Sequence, residues 1–556
     1  MGEVVACWRL VVCGWVLAGV VAVRAQTTLV SSAQGGGFGN SGSQHCAVAL
    51  GGALVAFDSV ATNLVAIDTN ANQDVFVRDR SPGLTELVSV SSTGIQGNGP
   101  SYFPALSFDG RFVAFISTAT NLVPNDANGI IADVYVRDRL LGTTELVSVG
   151  SSGQACDGRC FRCSISGDGR FVLFDSEAIN LTAIDNNGAA DVFVRDRLAK
   201  KTECASLSAI VGTGNGMSFL GMISVDGRYA TFSSTSSDLV ASDLNGAWDV
   251  FVRDLVTQTT ERVSVSSAGV EGNAGSEFPS LSLDGHFVAF SSAASNFCPG
   301  DSQGSWDVFL HDRWTHTTKR IVEAFGGGNP DGRCFGSTIS PDASFVGFES
   351  EASNLVSGDT NATQDIFVVE CATKRVRRVS ISGWREQSNG WSEGPAVGWG
   401  GNSVAFTTYA TNLVTGDPNR CSDVVMRHWV AASWEEYGQG WPGANGVPAL
   451  TCSAPPVQGK DILIRIGNSC ATASAGVLLY GEQEQLLATG FGGSLNVDYR
   501  ILVPLALPVG GRSELVHVPE MPEWMGLVCC IQSVQVDPAA SSGLAFSKGV
   551  RFVLGE

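Results

Sequence analysis

The sequence predicts an all-β protein: a seven-bladed β-propeller with four antiparallel strands per blade, followed by a small C-terminal β-sandwich domain. Three observations predict it. A hexapeptide, Asp-Val-Phe-Val-Arg-Asp, begins at Asp74 and returns in close copies at Asp133, Asp191, Asp249, Asp307, Asp365 and Asp423; the first spacing is 59 residues and the next five are 58. A second block, Asp-Gly-Arg-Phe-Val-Ala-Phe, stands ahead of the hexapeptide at Asp109, Asp168, Asp226 and Asp284, then fades to Asp342-Ala343 and Gly400-Gly401. A third segment, Thr-Glu-Leu-Val-Ser, is missing after the seventh hexapeptide, but a copy, Thr28-Leu29-Val30-Ser31, lies near the start of the chain, 58 residues before Leu87. Self-similarity at such a period marks a repeat architecture.

In chain order, residues 1–25 read as an export signal. Arg9 supplies the positive start, Leu10 to Val23 is apolar, and Val23-Arg24-Ala25 offers small residues for cleavage before Gln26. The apolar run is short for a membrane span, so no span is expected after cleavage, and the protein is expected in the periplasm, outside the cell or on its surface. Residues 26–434 form the repeat domain. In the second unit the expected strands are Phe103 to Phe108, Phe112 to Ser117, Asp133 to Arg137 and Thr144 to Val149, with Asp109-Gly110 as a hairpin turn. Four short strands repeated radially make a propeller blade. The copy near the N-terminus is expected to be the missing outer strand of the seventh blade, closing the ring and removing two free edges. An open β-solenoid is the alternative, but repeat stacks need capping units and the sequence shows none.

The paired blocks, Ser-x-Asp-Gly-Arg-Phe-Val-Ala-Phe and then Asp-Val-Phe-Val-Arg-Asp, resemble the TolB-type, WD-like propeller repeat of exported bacterial proteins across roughly residues 27–430. The resemblance implies a propeller. It implies no particular ligand, because such folds serve many roles.

Composition narrows the partners. The formal net charge of -20 repels a phosphate backbone and an anionic membrane surface, so nucleic acid is not expected. With 66 Gly, and 28 Phe against 7 Tyr, the chain has the residues for many tight turns between buried strands. Of 15 cysteines, Cys7 and Cys13 would leave with the signal; most of the rest should pair in an oxidising compartment. Cys156, Cys160 and Cys163 lack the nearby partner that a zinc tetrahedron needs.

Between the second and third strands of each unit runs a loop of the form Asp-x-Asn-Gly-x-x-Asp. Its first acid is Asp68, Asp126, Asp185, Asp243, Asp301, Asp359 or Asp417. Two residues later comes Asn70, Asn128, Asn187, Asn245, Gln303, Asn361 or Asn419, and the closing acid is the strand-opening Asp74, Asp133, Asp191, Asp249, Asp307, Asp365 or Asp423. Two readings are open. The side chains could stabilise turns by bonding their own backbone. They could instead supply part of the oxygen shell of a hard cation, with Ca²⁺ the expected ion.

These loops and the blade-to-blade connections leave the blade on the same face, and both are long. A protein or carbohydrate ligand is therefore expected there. Candidate contact residues are Trp248 and Trp306, just before the closing acids of units four and five, and Trp384, Arg385 and Trp391 between units six and seven. Residues 435–448 read as a Gly/Pro-rich linker and 449–556 as the sandwich domain, with strands expected at Asp461 to Ile466, Ala475 to Tyr480, Ser494 to Ala506, Glu514 to Val518, Leu527 to Val536 and Gly549 to Leu554. No paired metal-ligand histidine occurs. The expectation is a binding or scaffold protein; the alternative is a carboxylate-based glycan hydrolase or lyase on the propeller face.

Overall fold

A computed structural model describes residues 26–124, 126–210, 212–301, 304–383, 386–429 and 433–437 and, with gaps, 447–553. The expected export signal, residues 1–25, lies outside the described residues. The chain divides into two compact units, one spanning 27–382 and 386–427, the other containing 428–556.

The first unit contains seven four-stranded antiparallel sheets. Six are built from consecutive strands, within residues 43–87, 101–146, 160–204, 218–262, 276–320 and 334–378. The seventh takes Ser392–Val397, Ser403–Thr408 and Asp423–His428 from one end of the repeat array and Gln26–Leu29 from the other. The first unit is thus a seven-bladed β-propeller. In the second blade the strands are Ser101–Leu106, Phe112–Ser117, Asp133–Asp138 and Thr143–Leu146. The inner strand begins two residues before its expected start, and the outer strand ends three residues before its expected end.

The blade sequence explains the packing. The second and third strands are buried on both faces, because each sheet lies between two neighbours. Of Phe112–Ser117 only Phe112 is less than fully buried. That is why consecutive apolar residues replace the alternation of a half-exposed strand. Within each of the first six blades two aromatic rings stack across these strands: Phe57 on Phe76, Phe115 on Tyr135, Phe174 on Phe193, Phe232 on Phe251, Phe290 on Phe309 and Phe348 on Phe367, at 5.7–5.9 Å between centroids. The core is continuous from blade to blade: Val75, Val77 and Val88 of the first pack on Val113, Phe115 and Leu122 of the second.

The short hairpin follows its sequence signal. Asp109 accepts from the Ser107 hydroxyl at 2.8 Å and the Arg111 amide at 2.9 Å, and Gly110 takes φ 70°. That left-handed conformation is what glycine supplies. Arg111 then pairs with Asp138 at the end of the third strand, 2.7 Å away; Arg170 with Asp196 and Arg228 with Asp254 repeat the contact.

Ring closure is made by the first strand. The Val30 amide donates to the Val424 carbonyl at 2.9 Å, and the Ser31 hydroxyl donates to Asp423 at 3.0 Å. Val30, Val424 and Met426 share one apolar cluster with Val55, Phe57 and Phe76 of the first blade. Arg427, buried, donates to Thr27 at 3.2 Å and to the carbonyls of Ile381 and Ser382.

The second unit is a small β domain. Ser433–Tyr437, Gly549–Val553, Val528–Val536, Ser474–Gly481 and Ile501–Leu507 lie side by side in one sheet, with Leu544–Phe546 beside Val528–Val536. Leu450–Cys452, Asp461–Ile466 and Arg512–His517 form a second sheet, and Glu484–Ala488 pairs with Ser494–Val497. Two details differ from the sequence reading. Residues 435–437, read as linker, belong to the strand Ser433–Tyr437 and pair with residues 549–551. The run from Ser494 to Ala506 is two strands rather than one, Ser494–Val497 and Ile501–Leu507.

The expected cysteine pairing is absent among the described residues of the propeller, where nine cysteines carry free thiols. The repeat explains this, since it distributes thiols such as Cys46, Cys204 and Cys334 onto separate blades. The closest approach involves Cys156 and Cys160, with sulfurs 4.0 Å apart. There the Cys156 thiol donates to Asp133 at 3.0 Å, and the neighbouring Cys160 sulfur together with burial holds the thiol protonated.

Candidate functional site

The first strand of every blade faces the ring axis. Together these strands line a channel of about 590 Å³, with His45, Phe103, Arg162, Leu220 and Phe278 near the mouth on the long-loop face. In all seven blades the register between first and second strands slips around the third residue. This is a β-bulge, which re-aims side chains at a sheet edge. The bulged residue takes positive φ at His45, Phe103, Leu220 and Phe278 (47–57°) and at Gly336 and Gly394 (63–64°). For the non-glycine residues that conformation is strained and needs support.

Buried carboxylates supply it. Asp58 accepts from the Phe103 amide of the next blade at 3.0 Å, from His45 Nδ1 at 2.9 Å and from Gln73 at 2.6 Å. Asp175 accepts from the Arg162 amide at 2.8 Å and from Leu220 of the next blade at 3.1 Å. Glu349 accepts from Gly394 of the next blade at 2.7 Å and from Gln364 at 2.8 Å. Burial pushes Asp175 up to about 6 and Glu349 up to about 7, against the donors that favour the charged form. These three acids are absorbed in holding the channel wall.

Beside the mouth lies a second hollow of about 320 Å³, lined by Tyr102, Phe103, Arg159, Phe161, Arg162, Asp175, Phe219 and Leu220. The Arg162 guanidinium lies 4.8 Å from the centre of the Phe103 ring, and that of Arg159 lies 5.2 Å from Phe161. Phe161 meets Phe219 edge-on at 5.4 Å, and Trp248 continues the run at 6.3 Å from Phe219. Both arginines are exposed, and neither forms a salt bridge among the described residues. The sequence reading weighs Cys156, Cys160 and Cys163 in this segment and passes over Arg159 and Arg162 between them. Arg162, at a position where the other blades carry His45, Phe103, Leu220, Phe278, Gly336 and Gly394, is the signal that could have found the hollow.

The tryptophans expected on this face are partly brought together. Trp248 and Trp306 are half-buried and flank Gly275, where an added Cβ would come within 3.9 Å of both. Trp391 is 48% exposed and stands edge-on to Tyr409 at 5.3 Å. Trp384 and Arg385 lie outside the described residues.

The loop carboxylates sit below the rim. The strand-opening acid accepts from a serine two residues beyond the fourth strand in most blades, as Asp74 does from Ser89, Asp133 from Ser148 and Asp191 from Ser206, each at 2.6 Å. The loop asparagine bridges to a carbonyl of the next connection: Asn70 to Gly97, Asn128 to Cys156, Asn187 to Gly214, Asn245 to Gly272, Asn361 to Ser388 and Asn419 to Gly39, at 2.6–3.0 Å. The first acid varies in its partner. Asp68 accepts from Gln96, Asp126 from the Tyr135 hydroxyl, and Asp417 from the Asn419 amide. In the fourth and sixth blades an arginine reaches both acids: Arg262 lies 3.5 Å from Asp243 and 3.7 Å from Asp249, and Arg378 lies 3.3 Å from Asp359 and 3.4 Å from Asp365. In the fifth, Arg320 lies 3.6 Å from Asp307, and Asp301 is buried. Gln303 lies outside the described residues.

Fold and site together define a seven-bladed, WD-like β-propeller with an arginine-and-aromatic hollow at its channel mouth. No family model matches the chain, and no curated protein matches it. Solved structures similar to it include a TolB protein from Agrobacterium tumefaciens (13% identity, 62% of this chain and 94% of that one, TM-score 0.34). The WD40 repeats of RRP9 (8%, 73% and 98%, TM-score 0.38) and the Pan2 WD40 domain from Neurospora crassa (11%, 70% and 89%, TM-score 0.37) are also similar. At this level of likeness the fold assignment rests on the chain's own seven sheets.

Proposed function

We propose that this chain is an exported binding protein whose long-loop face receives an acidic segment of a partner protein at the channel mouth. One observation carries the reading. In a chain of net charge -20, two arginines stand exposed over aromatic rings in one hollow and are not spent on salt bridges among the described residues. A carboxylate of the partner would meet the guanidinium forks, and its side chains would meet Tyr102, Phe103, Phe161 and Phe219. Export is supported by the pattern of Arg9, Leu10 to Val23 and Val23-Arg24-Ala25.

The test is an array of immobilised acidic peptides with acidic glycans as a second arm, probed with the wild-type protein and with Arg162→Ala. Peptide binding that weakens about tenfold in the variant, roughly one charged hydrogen bond, is expected. Binding to the glycans alone would replace the protein partner with a carbohydrate one. Binding indifferent to Arg162, or none, would overturn the reading.

A further inference from the structure

We propose that the second, third and seventh blades each bind a divalent cation of the calcium class in the Asp-x-Asn loop, whereas the fourth, fifth and sixth carry an arginine in that place. This goes beyond the ligand reading and does not depend on it.

The repeat supplies an internal comparison. At one position of the outer strand the seven blades carry, from the first to the seventh, Leu87, Leu146, Cys204, Arg262, Arg320, Arg378 and Leu29. Where the residue is arginine, its guanidinium enters the loop and lies 3.3–3.7 Å from the loop carboxylates. In the fourth blade carboxylate oxygens of Asp243, Asp249 and Glu271 all lie within 4.8 Å of one another, with Arg262 against each. The loop geometry thus draws acidic oxygens to a spacing that one small cation can bridge, and in these blades the chain provides the positive charge itself.

The other four blades lack that arginine. In the first, the Gln96 amide takes its place, donating to Asp68 at 2.8 Å and Asp74 at 2.9 Å. The residues matching Gln96 in the second, third and seventh blades are Ala155, Thr213 and Phe38, and neither Ala155 nor Phe38 has a side-chain donor. In the third blade the Thr213 hydroxyl lies 3.4 Å from Asn186 and also reaches Asp191, while both Asp185 oxygens remain without a donor.

The unsatisfied carboxylate oxygens fall in these same three blades. Among the described residues, the buried carboxylate oxygens without a hydrogen-bond donor of good geometry are Asp126 Oδ1, Asp133 Oδ2, both oxygens of Asp185, and Asp417 Oδ2. Asp133 is buried, as are Asp191 and Asp423, the closing acids of the other two loops. A buried carboxylate oxygen with no donor is costly, and a hard cation with oxygen ligands removes that cost. The loop Asn carbonyl is a further candidate oxygen, though it does not separate the blades: Asn128 Oδ1 and, in the sixth blade, Asn361 Oδ1 are both buried without a donor.

The experiment is calorimetric titration of the chelator-treated full chain with calcium chloride, with melting temperature as the second readout. The expected stoichiometry is three, falling to two in Asp185→Asn and in Asp417→Asn and rising to four in Arg262→Met. Should a variant fold poorly, the calcium-dependent rise in wild-type melting temperature, expected to be at least about 3 °C at saturation, still decides the matter. Stoichiometry of seven, stoichiometry unchanged in all three variants, or no binding and no melting shift at millimolar calcium would overturn the proposal.

Discussion

Glu349 shows how much a single side chain holds in place. It is 9% exposed, and it fixes the strand of the next blade through the Gly394 amide. Burial raises its folded-state pKa to about 7, above the ordinary carboxylate value, so the folded chain binds a proton that the unfolded chain releases. Its contribution to stability is therefore greatest below about pH 4.5 and is lost as the pH rises through about 7. Glu349→Gln removes that titration while keeping an acceptor for Gly394, and the Gln364 amide can turn to meet it. The variant should show a shallower fall of melting temperature between pH 4.5 and 8 than the wild type. An equal slope would mean that Glu349 is not the group responsible. At this scale the sequence was least legible. Asp58, Asp175 and Glu349 occupy one strand position where other blades carry Ile116, Ser233, Ser291 or Thr407, so no repeated signal marks them. The loop acids were visible because they do repeat. What distinguishes their blades is a partner some 13–28 residues away, such as Arg378 or Gln96, that only pairing of strands and connections brings near.

The blade is the element that the sequence specifies best. Its strands could be read because a buried sheet between two neighbours demands consecutive apolar residues, and Asp-Gly demands a turn. The β-bulge of each inner strand could not be read, since its positive φ falls on residues as different as His45, Phe103 and Leu220, with no glycine to announce it in those blades. The stacked rings state the blade's energetic logic. Phe232 is fully buried against Phe251 at 5.9 Å and belongs to a cluster with Leu173 and Val192 of the preceding blade. Phe232→Ala should cost about 3–5 kcal/mol in denaturant unfolding, because it leaves a cavity between two blades. A loss under about 1 kcal/mol would show that the interface collapses around the gap.

At the scale of the whole molecule, a ring differs from a stack in having no first or last blade. The absence of disulfides among the described cysteines of the propeller places the burden of closure on non-covalent contacts. Those contacts are specific: Val30 and Ser31 on Asp423 and Val424, Thr27 on Arg427, and an apolar cluster shared by the seventh and first blades. Closure was legible in the sequence because a displaced copy of one strand leaves a gap at one end of the array and an extra strand at the other. The fate of residues 435–437 was not legible, because their pairing partner lies more than a hundred residues later, in Gly549–Val553.

The closing strand is also where the account is most exposed to test. A chain lacking residues 26–32 should keep most of its sheet content, yet melt at a lower temperature. Amide hydrogen exchange in the Asp423–His428 strand should rise on the order of a hundredfold over the matching strands of other blades, because its outer neighbour is gone. An unchanged melting temperature, with that strand as protected as before, would contradict a ring closed by its first strand.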